Sequence, residues 1–161
     1  MQALDEARIR ASFLNVSRRE RGDAILPDLS IVPWERLDYL GWRDPKQPLL
    51  GYVVADLDGG PVGVLLRQAE RTPRARAQCS WCEDVQLPND VVFFAARRAG
   101  AAGRKGDTLG TLVCANFECS TNVRRTPPLA YEGFDRAAEI ERRIASLRQR
   151  VSDFTDRVRQ D

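Results

Sequence analysis

The chain has 161 residues, of which 43% are apolar and 30% charged, with a net charge of only +2 and no histidine. That balance excludes a disordered or collagen-like polypeptide and describes an ordinary globular chain of one domain, or two small subdomains around a shared core. The absence of histidine removes the commonest general base and every Ser/His or Cys/His nucleophile pair, and no glycine-rich phosphate loop follows a strand. The longest apolar runs, 91–96 and 49–55, are too short to cross a bilayer. The start, Met1-Gln2-Ala3-Leu4-Asp5-Glu6, is acidic where a secretory signal is basic and then apolar, so a cytoplasmic protein with no membrane partner is expected.

In chain order, residues 4–14 read as a short helix with Leu4, Ile9 and Phe13 on one face and Asp5 and Glu6 in its first turn. Residues 15–22 read as a polar, basic loop; its Asn15-Val16-Ser17 matches a glycosylation acceptor without meaning in a cytosolic chain. A second short helix is expected over 33–40, with Pro33 at its first position and Gly41 as a left-handed cap. Trp42 to Pro45 then leads into an extended stretch. Residues 49–57 and 62–68 predict two strands turned at Asp58-Gly59-Gly60. The basic stretch 67–76, with Pro73 inside it, reads as a linker or edge.

The four cysteines fall in two tight pairs, Cys79-x2-Cys82 and Cys114-x4-Cys119, separated by thirty-one residues. Short bite, long span and short bite is the pattern of a tetrahedral site of four thiolates, which clamps two distant segments with one ion. Zinc in a structural role is expected. A redox pair at Cys79 and Cys82 would leave Cys114 and Cys119 unexplained, and the spacing by itself also admits iron–sulfur ligation. Four thiolates leave no open position for a metal-bound water, so the reading is a binding protein, not an enzyme, with no small-molecule substrate.

Around these cysteines, residues 79–82 form a knuckle, 91–96 a strand, 97–107 a flexible glycine-containing loop, and 108–113 a return strand. Residues 117–125 form a short helix with Cys119 in its first turn, ended by Pro127-Pro128. Knuckle, hairpin and helix are the layout of a treble-clef zinc finger. Residues 134–159 predict a long amphipathic helix whose Ile140, Ile144, Leu147, Val151, Phe154 and Val158 make a heptad seam. Packing of that seam on the chain's own core, giving a monomer, is favoured over a coiled-coil dimer. The expected fold is therefore α+β: a helical and β-hairpin part over 1–76, a treble-clef finger over 77–126, and a C-terminal helix over 127–161 packed on both.

Charge is unevenly spread: residues 67–125 hold ten basic and six acidic side chains, whereas 1–66 hold eight and ten. Arginines offsetting a zinc tetrathiolate of charge −2 account for this as well as a basic surface for an acidic partner does. The loop residues Arg97, Arg98, Arg104 and Lys105 are the expected partner contacts, Lys105 foremost. A different class of function, binding ribosomal RNA directly, would use Arg67, Arg71, Arg74, Arg76, Arg97, Arg98, Arg104, Lys105, Arg124 and Arg125. Aromatics for base stacking are few there: Trp81, Phe93, Phe94 and Phe117, with Phe93 and Phe94 expected in the core.

The run Cys79-Ser-Trp-Cys82, followed by Gly106-Asp-Thr-Leu-Gly-Thr-Leu-Val-Cys-Ala-Asn-Phe-Glu-Cys-Ser120, resembles the treble-clef domain of the elongation factor G-binding proteins, which include fusidic-acid-resistance proteins. Leu40-Gly-Trp-Arg-Asp-Pro45 is similar to short actinobacterial members, and the resemblance covers roughly residues 8–160. It implies Cys79, Cys82, Cys114 and Cys119 as zinc ligands and elongation factor G, on or off the ribosome, as partner. Longer resistance proteins also have an N-terminal helical domain, for which a chain of this length leaves no room, so the resemblance implies binding to the factor and leaves drug resistance open.

Overall fold

The computed structural model describes residues 1–70, 77–84, 90–129 and 131–160. Residues 71–76 of the expected linker, with Arg71, Arg74 and Arg76, lie outside the described residues. The frame is an antiparallel five-stranded sheet in the order β1-β2-β3-β4-β5, formed by Tyr39–Arg43, Leu50–Leu57, Gly60–Gln68, Val91–Arg97 and Thr108–Cys114. The expected hairpin is β2 and β3, which pair continuously from Leu50↔Arg67 to Leu57↔Gly60. The second expected hairpin, β4 and β5, pairs just as fully from Val91↔Cys114 to Arg97↔Thr108.

The two hairpins are barely joined. Between β3 and β4 only Arg67↔Ala95 and Gln68↔Phe94 are in register. Beyond them the strands part, and the buried Asn15 side chain fills the gap. Its Nδ2 donates to the carbonyls of Leu65 and Arg97, both at 2.9 Å, and its Oδ1 accepts from the Leu65 N–H at 2.9 Å. One amide thus supplies the polar partners that the missing rungs would have supplied.

Each sheet face has its own cover. Over β1–β3, one face is closed by the N-terminal segment: Leu4, Ile9 and Phe13 pack with Leu40, Trp42, Leu50, Tyr52, Val54 and Leu65. The first helix, α1 (Glu6–Ser12), matches the expected one, with Asp5 as its N-cap accepting from the Arg8 N–H. The opposite face of the whole sheet is covered by α5 (Arg136–Arg159), preceded by short α3 (Gly100–Arg104) and α4 (Cys119–Val123). Ile144, Leu147, Val151, Phe154 and Val158 are all buried against Tyr39, Val53, Leu66, Val113 and Trp81, with Ile140 at the margin. The heptad seam is thereby occupied by the chain's own core. Among the described residues, no helix is long and apolar enough to cross a membrane.

Three local expectations are corrected. The basic loop over 15–22 contains a helix, α2 (Arg18–Asp23), because Ser17 and Glu20 form a reciprocal capping box that satisfies its first N–H groups. The helix expected over 33–40 is one 3-10 turn, Trp34–Arg36, running into strand β1. Gly41 is a close-approach residue within that strand, not a cap: a Cβ there would stand 2.6 Å from Phe117 Cβ. The expected loop over 97–107 contains α3, which is capped by Lys105 and followed by Gly106 at φ 96°, a left-handed stop for which glycine is suited.

Candidate metal centre

Two chain reversals bring the cysteines together. After Cys82 the backbone turns back through Glu83, at φ 54°, whose N–H donates to the Cys79 carbonyl at 3.0 Å. After Cys114 it turns at Phe117, at φ 63°, whose N–H donates to the Cys114 carbonyl at 3.0 Å. Neither is glycine, and left-handed backbone is uncommon for such side chains, so both turns are held by their surroundings. Phe117 is held by stacking on Phe94 at 5.2 Å and by the space left at Gly41 and Gly51. Cys119 then opens α4, as the sequence predicts.

All four sulfurs lie within 4.8 Å of one another, with Cys79 to Cys119 at 3.7 Å and Cys82 to Cys114 at 3.6 Å. A tetrahedron of thiolates at a Zn–S distance of about 2.3 Å has sulfur–sulfur edges of about 3.8 Å, so the cluster is sized for such an ion. The donor set fits as well. Cys79 Sγ receives the backbone N–H groups of Trp81 at 3.4 Å and Cys82 at 3.5 Å. The buried Asn122 Nδ2 points at Cys114 Sγ at 3.4 Å and at Cys82 Sγ at 3.8 Å. Donors aimed at sulfur stabilise thiolate, the form that ligates metal.

Proton affinities within the cluster are split accordingly. Hydrogen bonds from the thiols of Cys114, Cys119 and Cys82 hold Cys79 well below the ordinary thiol range. Cys82 is also lowered, chiefly by Cys114 and then Cys119. Cys119 is pushed up by Cys114, Cys79 and Cys82 and by burial. At Cys114 a lowering by Cys119 is outweighed by Cys79, Cys82 and burial, leaving it raised. A divalent cation replaces the protons that these sulfurs otherwise share.

A supporting layer, which cysteine spacing does not reveal, ties the centre to the sheet. Tyr39 OH donates to the Phe117 carbonyl at 3.2 Å, and burial followed by the nearby Cys119 sulfur pushes that phenol well above its usual value. Arg43 Nε donates to the Ala115 carbonyl, and its guanidinium sits 5.0 Å over the Phe94 ring. Asp38 is wholly buried, accepting from Arg124 and, at 2.9 Å, from Arg148 Nε, so one carboxylate joins β1, α4 and α5. Its N–H donates to Ser120 Oγ at 2.9 Å. The Leu40–Pro45 motif is the visible sequence signal of this layer, since Gly41 and Arg43 both serve the 114–119 turn.

The basic residues divide into engaged and exposed groups. Arg98 Nη1 donates to the carbonyls of Arg157 at 2.6 Å and Gln160 at 3.3 Å, capping the end of α5. Arg124 is bound by Asp38 and Arg125 by Asp84. Arg67 and Arg97 both reach Glu20, at 3.1 and 3.2 Å, yet remain about half exposed. Arg104 and Lys105, at the end of α3, are exposed, and among the described residues neither makes an ion pair.

The comparisons with known proteins agree with this geometry. Among solved structures, that of the fusidic acid resistance protein FusC is similar at a TM-score of 0.57 and 16% identity, over 76% of this chain and 53% of that one. At that identity the likeness concerns the fold, and this chain spans about half the length of that protein. No curated protein matches. The family model described as FBP C-terminal treble-clef zinc-finger matches residues 8–158, nearly the whole chain. With its knuckle, hairpin, helix and four converging sulfurs, the chain belongs to the FBP C-terminal treble-clef zinc-finger family.

Proposed function

We propose that this protein holds one structural Zn2+ at Cys79, Cys82, Cys114 and Cys119 and binds translation elongation factor G, modulating that factor's interaction with the ribosome. The observation that carries this reading is the pairing of a closed four-sulfur centre with an exposed basic tip. The ion would tie the 79–82 knuckle to the 114–119 turn, and the hairpin so anchored carries Arg104 and Lys105 outward with no ion pair among the described residues. A rigid scaffold presenting a charged loop suits recognition of an acidic protein surface. Family membership and the likeness to a fusidic acid resistance protein favour a translation factor as that surface. The reading is of a binding protein and not an enzyme, since four thiolates fill the metal's coordination sphere. It places the protein in the cytoplasm, where thiols persist unoxidised.

The test is titration of purified elongation factor G with the zinc-loaded chain, followed by calorimetry or interferometry. Saturable binding is expected, weakened at least about ten-fold in the Arg104→Glu/Lys105→Glu variant, with zinc content and melting temperature unchanged. Absence of binding by the unaltered, zinc-loaded protein at tens of micromolar would end this reading.

A further inference from the structure

The sheet face that the N-terminal segment covers over β1–β3 has no such cover over β4 and β5 among the described residues. Val92, Phe94, Ala96, Leu109 and Val113 point into the core under α5. Strand alternation therefore turns Phe93, Ala95 and Arg97 of β4, and Thr108, Gly110 and Leu112 of β5, to the opposite face. Phe93 was expected in the core and is instead 40% exposed, because only one of the two adjacent phenylalanines can face inward. Of the four aromatics in this part of the chain it is the accessible one; Trp81, Phe94 and Phe117 are buried.

Its ring lies down across the sheet. Phe93 is paired with Leu112, yet a Cβ on Gly110, two residues along, would stand 2.3 Å from Phe93 Cζ and 2.8 Å from Cε2. Glycine lets the ring rest over the neighbouring strand, which leaves its other side open. Arg67 and Arg97, both on this face and both about half exposed, stand beside the strip with the half-buried Glu20 carboxylate between them. The exposed Thr108 sits directly opposite Arg97 and adds a hydroxyl.

We infer that this open face is a docking site for single-stranded RNA. A base would stack on Phe93, Arg67 and Arg97 would contact the flanking phosphates, and the Thr108 hydroxyl would stand within reach of a ribose 2′-hydroxyl. An aromatic lying flat on an antiparallel sheet beside two guanidiniums, whose charge the single Glu20 carboxylate only partly offsets, offers what an unpaired base and its backbone need: a π-face and positive charge. A protein partner would take an apolar patch wider than one ring bordered by the half-buried Ala95 and Leu112. The hydroxyl beside Arg97 favours RNA over DNA. Phe93 and Arg67 lie away from Arg104 and Lys105, which carry the proposed elongation factor contact, so the Phe93 and Arg104/Lys105 variants let either reading fail without the other.

Fluorescence anisotropy with the full zinc-loaded chain and a labelled eight-nucleotide oligoadenylate RNA at low salt tests it. Saturable binding is expected, with Phe93→Ala about ten-fold weaker and Phe93→Trp close to the unaltered protein. Arg67→Gln/Arg97→Gln should reduce the magnitude of the log Kd against log salt slope by about 1.4, the share of two phosphates. The DNA oligomer of the same sequence should bind more weakly, and Thr108→Val should narrow that difference. Equal melting temperatures and zinc contents would establish that every variant is folded. No RNA binding at low salt, unchanged binding by Phe93→Ala, or DNA bound as tightly as RNA would each overturn the inference. So would a Phe93→Ala variant that binds RNA normally but loses elongation factor G, which would make the face a protein interface.

Discussion

The two hairpins of the sheet are equally well paired within themselves and very differently supported from outside. The β2–β3 hairpin, with β1 beside it, is buried on both faces, by α1 and its flanks on one and by α5 on the other. The β4–β5 hairpin has α5 and the cysteine cluster beneath it, and among the described residues no apolar layer above the 40%-exposed Phe93. An apolar layer on one side substitutes for a metal clamp on the other. The lesson is that a hairpin lacking a second apolar layer can still be held rigid if its ends are tied, and that its spare face is then free for other uses.

Removing the clamp should break the comparison most severely. Cys114→Ser, or exhaustive chelation, is expected to cost several kcal/mol, because metal affinity in such fingers is folding free energy of roughly 10 kcal/mol or more. Amide exchange should show Val91–Arg97 and Thr108–Cys114 losing protection first, with β2–β3 outlasting them. Zinc content measured alongside would drop from one equivalent toward none. If both hairpins lost protection together, the difference in their support would be illusory.

What the sequence disclosed follows the same division. The cysteine spacing, the Asp58-Gly59-Gly60 turn and the α5 seam are signals local to one segment, and each is where it was expected. The start of β1 falls in the helix expected over 33–40 from Pro33 and Gly41. That strand is fixed from outside, by pairing with Leu50–Leu57 and by the Phe117 ring against Gly41. The capping box of α2 was visible as Ser17-x-x-Glu20 but was hidden among the basic residues around it. The face taken by Phe93 could not be read from Val91-Val-Phe-Phe-Ala-Ala96, a run that is apolar in both registers. Nor could the partnership of Asp38 with Arg124 and Arg148, which lie 86 and 110 residues away.

A sharper test lies at the join. Asn15→Ala leaves the Leu65 N–H and the Leu65 and Arg97 carbonyls without their buried partner, at a cost of about 2–3 kcal/mol. Chemical denaturation should show that loss, and exchange should show it concentrated where β3 and β4 part. Zinc content should be unaffected.

The smallest effect concerns Glu20, which reaches across both hairpins to Arg67 and Arg97. Burial tends to raise its pKa, but the Ser17 N–H and hydroxyl, followed by Arg97 and Arg67, outweigh burial and hold the carboxyl below the ordinary glutamate value. A depressed carboxyl stabilises the fold above its unfolded-state value, and that contribution fades as pH falls through the lower folded-state value. Glu20→Gln should therefore cost under about 1 kcal/mol near neutrality. The gap between variant and unaltered protein should close as pH falls through the lowered folded-state value of Glu20, below the ordinary glutamate range, when their denaturation midpoints are compared.

The position of α5 in the chain has a consequence for biosynthesis. Every strand and all four cysteines precede Arg136, yet Leu147, Val151, Phe154 and Val158 supply the lid over Trp81, Leu66 and Val113. While a ribosome is still translating α5, the nascent sheet presents that apolar face to water, at elongation rates of about 5–20 residues per second. Metal capture by the nascent cysteines can precede closure of the lid, so the ion can be in place before the core it sits beside is sealed.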